Sequence, residues 1–319
     1  MEFIVAGYEI IEQAPGIEGM YKAAELPGRI CYGSQDRIAP GSAEKFVNGL
    51  MKSNHGAPLE HGTVYLQYSY PRKAWHTPEF IKFYENNPYS KVRWGNTEDD
   101  DDYTAYITTN LRVLFENKRM DDLKYWVEPT KWHEKRIQVK FTVDRFTGEE
   151  FLRHRVASFN RESTRYVLYT REKFGSGSIK YIIPVWMLDK KTKLHHYAEN
   201  NINWYISTMS EHLTTNQPLD ELFVWTFALK AAEWSYAYLV NECGWTAQMA
   251  RTVLPCAINS PLIKTAFVSD WKHFFDLRAI GTTGKPHPQA SELAEPLMNE
   301  FIEREYLTIT ETNKEDGNV

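Results

Sequence analysis

FLRHRVASFNRESTRY, Phe151–Tyr166, gathers Arg153, His154, Arg155, Arg161 and Arg165, with Ser158, Ser163 and Thr164 between them and no lysine. The whole 319-residue chain carries 37 basic against 42 acidic side chains, a net charge of −5, so this basic charge is local. A guanidinium is a planar fork that grips phosphate or a ring edge bidentately, whereas an ammonium is a point charge. Two readings stand on these residues alone. One is a grip on a small phosphorylated ligand; the other is a solvated face of surface ion pairs.

Upstream, RIQVKFTVD (Arg136–Asp144) alternates apolar and polar residues and predicts a strand, and Phe146–Leu152 predicts a short helical turn feeding the arginines. Met1–Ile11 predicts an opening strand, and Pro27-Gly28 a break before RICYGS. Ser42–Lys52 predicts a helix and Val64–Tyr70 a strand, with His61 and Thr63 at its mouth. Downstream, Tyr166–Arg171 and Ile179–Pro184 frame a loop, Gly175–Ser178, that lacks the spacing and lysine of a phosphate-binding P-loop. His195–Leu213, Leu219–Val240, a stretch capped by Thr246, and Ser291–Phe301 predict helices.

Residues 72–135 differ in texture, with Trp75, Trp94 and Trp126, a helix-like stretch at Ala105–Phe115, and an acidic run, Glu98–Asp102, that reads as a solvated loop. This segment is read as an insertion within a single domain spanning 1–303, followed by a polar tail, 304–319. Strands and helices follow without βαβ alternation. That order predicts an α+β fold, a mixed, largely antiparallel sheet flanked by helices.

Composition narrows the function classes. A pI near 6.1 argues against general nucleic-acid binding. Cys31, Cys243 and Cys256 form no CxxC pair, and His195, His196 and Glu199 lack a metal-binding helix spacing, so no metal is expected. The start MEFIVAGYEIIEQ has no basic stretch before an apolar run, and no segment approaches ~18 apolar residues. A cytoplasmic protein without membrane partners is expected.

The arginine stretch resembles the signature of the flavin-dependent thymidylate synthases: Arg153-His154-Arg155, seven residues, then Ser163, with Thr164-Arg165-Tyr166 behind it. Four other blocks fall in the family's order. RICYGS (Arg29–Ser34) resembles its early strand-to-loop segment, and PLEHGT (Pro58–Thr63) its Pro-x-Glu-His block. ARTVLP (Ala250–Pro255) resembles a helix end, and LRAIGTTGKPHPQ (Leu277–Gln289) a Leu-Arg segment with a later His-x-Gln. The resemblance implies reductive methylation of dUMP to dTMP, with 5,10-methylenetetrahydrofolate as carbon donor, FAD as hydride carrier and NADPH as reductant, and without a cysteine nucleophile. It also implies a homotetramer with sites between subunits.

Carried over position by position, the resemblance makes Arg278 the catalytic residue, activating the uracil. It assigns Glu150, Arg153, Glu162, Ser163, Thr164, Arg165, Arg251 and Arg278 to dUMP. It assigns Cys31, His61, Thr63, Arg153, His154, Arg155, Val156, Arg161, His273 and His287 to FAD. The chain departs from the pattern at Arg161, where the family often has Glu and which is followed here by Glu162, and at Glu150, where it often has Gln. Phe267 and Ser269 stand where other members carry Asn and Arg contacts to FAD, and His273 where another Asn sits. Two alternatives stay open: a non-catalytic nucleotide binder, and an RNA-binding module that the net charge speaks against.

Overall fold

The alternating segment RIQVKFT becomes the second strand of a four-stranded antiparallel sheet. The computed structural model describes residues 1–74, 76–96, 102–170 and 178–307. Its strands are β1 (Glu2–Ile4), β2 (Gly7–Ile11), β3 (Thr63–Pro71), β4 (Lys91–Asn96), β5 (Asp102–Asn110), β6 (Arg136–Thr142), β7 (Ser158–Arg161), β8 (Lys180–Ile182) and β9 (Leu262–Phe267). The helices are α1 (Gly16–Cys31), α2 (Ser42–Lys52), α3 (Glu79–Asn86), α4 (Leu111–Glu116), α5 (Arg145–Leu152) and α6 (Lys191–Ala198), then α7 (Ile202–Thr215), α8 (Glu221–Asn241), α9 (Ala247–Ala250), α10 (Val268–Phe275) and α11 (Pro288–Glu303). The fold is mixed, with largely antiparallel sheets flanked by helices, as the order of elements predicts.

The main sheet runs β2-β6-β9-β7. One face packs Val139 and Phe141 of β6 and Leu262 and Ala266 of β9 onto Trp271, Phe274 and Phe275 of α10 and Leu297 and Phe301 of α11. A fully buried Phe such as Phe141 contributes roughly 1.5–3 kcal/mol. The other face is buried too, but polar. Arg136, Gln138, Ser158, Asn160 and Thr265 project toward α1 and the 57–63 turn. Period-two alternation identifies two faces correctly here; it does not say what covers the second.

A second sheet, β3-β5-β4, shares its core with α1, α2, α3 and α4. Thr63–Pro71 pairs residue for residue with Asp102–Asn110. Residues 79–96 and 102–126 thus contribute to the same core as Met20, Val47 and Val64. Ala105–Asn110 is strand, where a helix is expected; only Leu111–Glu116 is helical. Seven consecutive buried residues, Thr104–Asn110, end β5 and explain the ambiguity, since a strand buried on both faces shows no alternation.

Three further expectations are corrected. Met1–Ile11 divides into two strands in different sheets, with β1 pairing parallel to β8. His195–Leu213 is broken between α6 and α7, where Asn201 caps the second helix by accepting from the Trp204 amide. Pro27 does not break the chain: α1 continues through it to Cys31. Proline removes one i→i−4 bond, and the carbonyl it leaves, Ala23 O, accepts instead from Gln138 Nε2 at 3.0 Å. Gly28 follows because a Cβ there would stand 2.6 Å from the Phe46 ring. RICYGS is accordingly a helix end and turn, not a strand.

Most of the Glu98–Asp102 run, Trp75, Gly175–Gly177 within the Gly175–Ser178 loop, and 308–319 of the polar tail lie outside the described residues. Among the described residues no helix is long and apolar enough to cross a membrane, and no group of three or more His, Cys, Asp or Glu could hold a metal ion.

Candidate active site

α5 is started by Asp144, whose carboxylate accepts from the Thr147 amide at 3.0 Å and from Gln289 Nε2 at 2.8 Å. The second contact locks the start of α11 against α5. Beyond Leu152 the chain crosses Arg153–Ala157 and enters β7, so consecutive side chains leave this crossing in different directions. Arg153, with Glu150, Trp186, Trp225 and His287, lines a cavity of about 600 Å³. Arg155 and Val156 line another, of about 210 Å³, with Arg136, Ser158 and Phe267. His154 enters neither set and turns toward α10.

Arg278 comes from a wide π-type turn, Asp276–Ile280, that ends α10 and is closed by Gly281 at φ 76°. A Cβ at Gly281 would lie 2.8 Å from Pro286, so the turn needs glycine twice over. The Arg278 guanidinium donates from Nη1 to Glu150 Oε2 at 2.7 Å and from Nη2 to Glu150 O at 3.1 Å. Its Nε donates to His154 Nε2 at 3.1 Å. Of about five guanidinium N–H groups, three are therefore committed to positioning, and one on each terminal nitrogen is left for a ligand.

His154 must be neutral to accept this bond. Burial lowers its pKa to about 3, reinforced by the neighbouring Arg278 guanidinium. His61, 1% exposed, is likewise lowered to about 3 by burial and by Arg136. It contacts Thr265 Oγ1 at 2.7 Å. Arg136 reaches Glu60 O at 2.9 Å and Ser158 Oγ at 3.0 Å, and Thr63 Oγ1 at 3.4 Å, while its buried Nε has no partner.

The remaining sequence-assigned residues fall elsewhere. Glu162 is bound by Tyr169 Oη at 2.8 Å, and burial raises its pKa to about 7. Cys31 stands close by, its carbonyl accepting from the Ser163 amide and its thiol pushed up by burial and by Glu162. Arg161 pairs with Glu149 at 2.8 Å. Arg165 donates to Gln248 Oε1 at 2.9 Å, beside exposed Arg251, while Thr164 is buried. None of Glu162, Ser163, Thr164, Arg165, Arg251 or Arg278 lines the Arg153 cavity; Arg278 meets it through Glu150, which does. His273 is exposed, its ring 5.8 Å from that of His154. His287 shares its cavity with Arg153 and Glu150, not with Arg155. Sequence reading missed Arg136, Trp186, Trp225 and Lys264; Arg136 looks like the solvent face of an alternating strand until the 57–63 turn covers it.

Fold and site together define an α+β protein in which one arginine-rich crossing serves two cavities and a clamped arginine stands behind the larger. Residues 131–304, more than half of the chain, match the family described as "Thymidylate synthase complementing protein". The chain belongs to that family, the flavin-dependent thymidylate synthases. The RICYGS and PLEHGT blocks lie outside the matched range. No curated protein matches the chain. Among solved structures it is similar to a UMP/dUMP methylase, PolB from Streptomyces cacaoi bound with 5-Br dUMP, at 16% identity and TM-score 0.39, covering 95% of this chain and 93% of that one. It is also similar to Thymidylate Synthase X from Helicobacter pylori with FAD and dUMP, at 13% identity and TM-score 0.37, covering 92% of each.

Proposed function

We propose that this protein methylates dUMP to dTMP, taking the carbon from 5,10-methylenetetrahydrofolate, with FAD as hydride carrier and NADPH as reductant. The observation that carries the reading is the Glu150–Arg278–His154 clamp set against the cavity lined by Arg153 and Glu150. In this reading Arg153 meets the nucleotide's negative charge, and Trp186 and Trp225 offer flat apolar surface to the uracil. Arg278 directs its remaining N–H groups at a uracil carbonyl. A fixed cation there favours the deprotonated ring and makes carbon 5 the nucleophile, an electrostatic effect of the oxyanion-hole kind. Glu150 holds that cation in place and lowers the cost of keeping it half-buried.

The FAD reading rests on the smaller cavity. Its donors suit an acceptor-rich ring: Arg155 at the lip, with Arg136 and Ser158 among the lining residues. Arg155, Val156 and Arg136 would hold the cofactor there, which when bound supplies the hydride chemistry. Ligand pockets usually span ~300–1,000 Å³, so about 210 Å³ takes part of FAD, the rest lying across the surface. In the same reading the protein is a cytoplasmic homotetramer, with one catalytic domain over 1–303. Ser163, Arg165 and Arg251, outside the Arg153 cavity, then reach the dUMP of a neighbouring subunit.

The test is spectroscopic and then catalytic. The purified protein should be yellow, bleach with NADPH, and convert dUMP to dTMP when the folate is added. A colourless protein that binds no added FAD overturns the reading.

A further inference from the structure

The wall facing Arg155 across the smaller cavity comes from a different part of the chain. Pro88, Tyr89 and Lys91, on the turn before β4 and at its start, line the cavity opposite Val156, Ser158 and Phe267. These residues lie outside the range matched by the family, in the segment whose sequence reads as an insertion.

The turn is pinned by its own chemistry. Asn87 Oδ1 accepts from the Tyr89 amide at 2.9 Å and from Ser90 Oγ at 3.1 Å, and Ser90 Oγ contacts Thr109 Oγ1 on β5 at 2.8 Å. Lys91 ties the same strand across the cavity. Its Nζ donates to Glu134 Oε1 at 3.0 Å and to Ser269 Oγ, and stands 4.5 Å from the centre of the Phe267 ring. The backbone under Tyr89 is therefore fixed, while its side chain is 63% exposed. A phenol ring held at a cavity lip on a pinned turn, in a cavity also lined by the apolar Phe267 and Val156, is arranged to cover a planar ligand.

We infer that Tyr89 is a ligand-binding residue of this cavity, stacking on the flavin ring while Arg136 and Arg155 meet its carbonyl edge. The ring enters between the two sheets, so the 72–135 segment completes the site. Lys91 acts as a positioning residue: its charge is matched by Glu134 and, at 3.9 Å, by Asp270. This inference rests on the FAD reading above and asks which chain segment holds the ring.

The apoprotein is titrated with FAD, riboflavin and ADP, following flavin fluorescence, and ADP by calorimetry. Tyr89→Ala should weaken FAD and riboflavin roughly tenfold, the scale of one aromatic stack, and leave ADP unchanged. Tyr89→Phe, which keeps the ring, should bind within about twofold of the unaltered protein. Unchanged FAD binding by Tyr89→Ala overturns the inference while leaving the FAD reading intact, as does a loss confined to ADP. An unaltered protein that binds neither FAD nor riboflavin overturns both. Circular dichroism of Tyr89→Ala, expected to be unchanged for so exposed a residue, checks that the loss is local.

Discussion

Arg278 Nε donates to His154 Nε2 across 3.1 Å, joining two residues 124 positions apart. The bond gives the middle histidine of Arg-His-Arg a task distinct from those of its neighbours. Arg153 and Arg155 serve cavities; His154 holds the arginine proposed to activate the substrate. His154→Leu should lower kcat by ~10–100-fold with flavin binding retained, since a misaimed dipole loses transition-state stabilisation. His154→Gln, whose amide oxygen can still accept, should recover part of it. Equal losses in both variants would count against positioning. Arg278→Ala should abolish dTMP formation with FAD still bound, and near-normal turnover would remove Arg278 from the centre of the site.

The two buried histidines set an acid limit to stability. Both have folded pKa values near 3 against 6.5 when unexposed to the fold. The unfolded chain therefore binds more protons between these values. Their contribution is complete above about pH 6.5 and shrinks as pH falls toward 3, by about 1.4 kcal/mol per unit for each histidine. Urea unfolding between pH 7 and 4.5 should show this slope, and His61→Gln should reduce it.

Glu162 works in the opposite direction. Its folded pKa of about 7 lies above the ordinary 4.5, because burial disfavours the carboxylate. Its stabilisation is complete below about pH 4.5 and is lost as pH rises through 7. Glu162→Gln should unfold at higher urea than the unaltered protein at pH 8, with the gap closing at pH 5. A gap that does not change with pH would place a charged carboxylate in the fold.

Lys264 is 1% exposed on β9, its Nζ 3.9 Å from the Trp271 ring centre and 4.0 Å from that of Phe274, without a hydrogen-bond partner. Burial drives its pKa well down. Replacing an unpaired buried amine with an apolar chain of similar length removes a desolvation cost of roughly 1–3 kcal/mol. Lys264→Met should raise Tm by several degrees in a calorimeter. A lowered Tm would mean that the two rings hold a charged ammonium strongly.

Gln138→Leu should leave the Ala23 carbonyl, orphaned by Pro27, without a donor. The expected cost is about 1–3 kcal/mol, read from denaturant unfolding. Gly28→Ala should cost a similar amount by forcing a methyl onto Phe46, and Phe46→Leu should relieve it.

By itself the sequence determined the strand at Arg136–Asp144, the helical turn feeding Phe151–Tyr166, and the family, because local alternation and an arginine spacing are written along the chain. Only the tertiary structure decided that Arg153 and Arg155 part company into separate cavities, since direction depends on the backbone path between α5 and β7. It also decided that Pro27 lies inside a helix. The bond proline forfeits is replaced by Gln138, 111 residues away, and no local propensity encodes a distant donor. Tyr89 and Lys91 were illegible for the same reason: they reach the site through β4–β5 pairing and the Glu134 contact, whose partners are far apart in sequence.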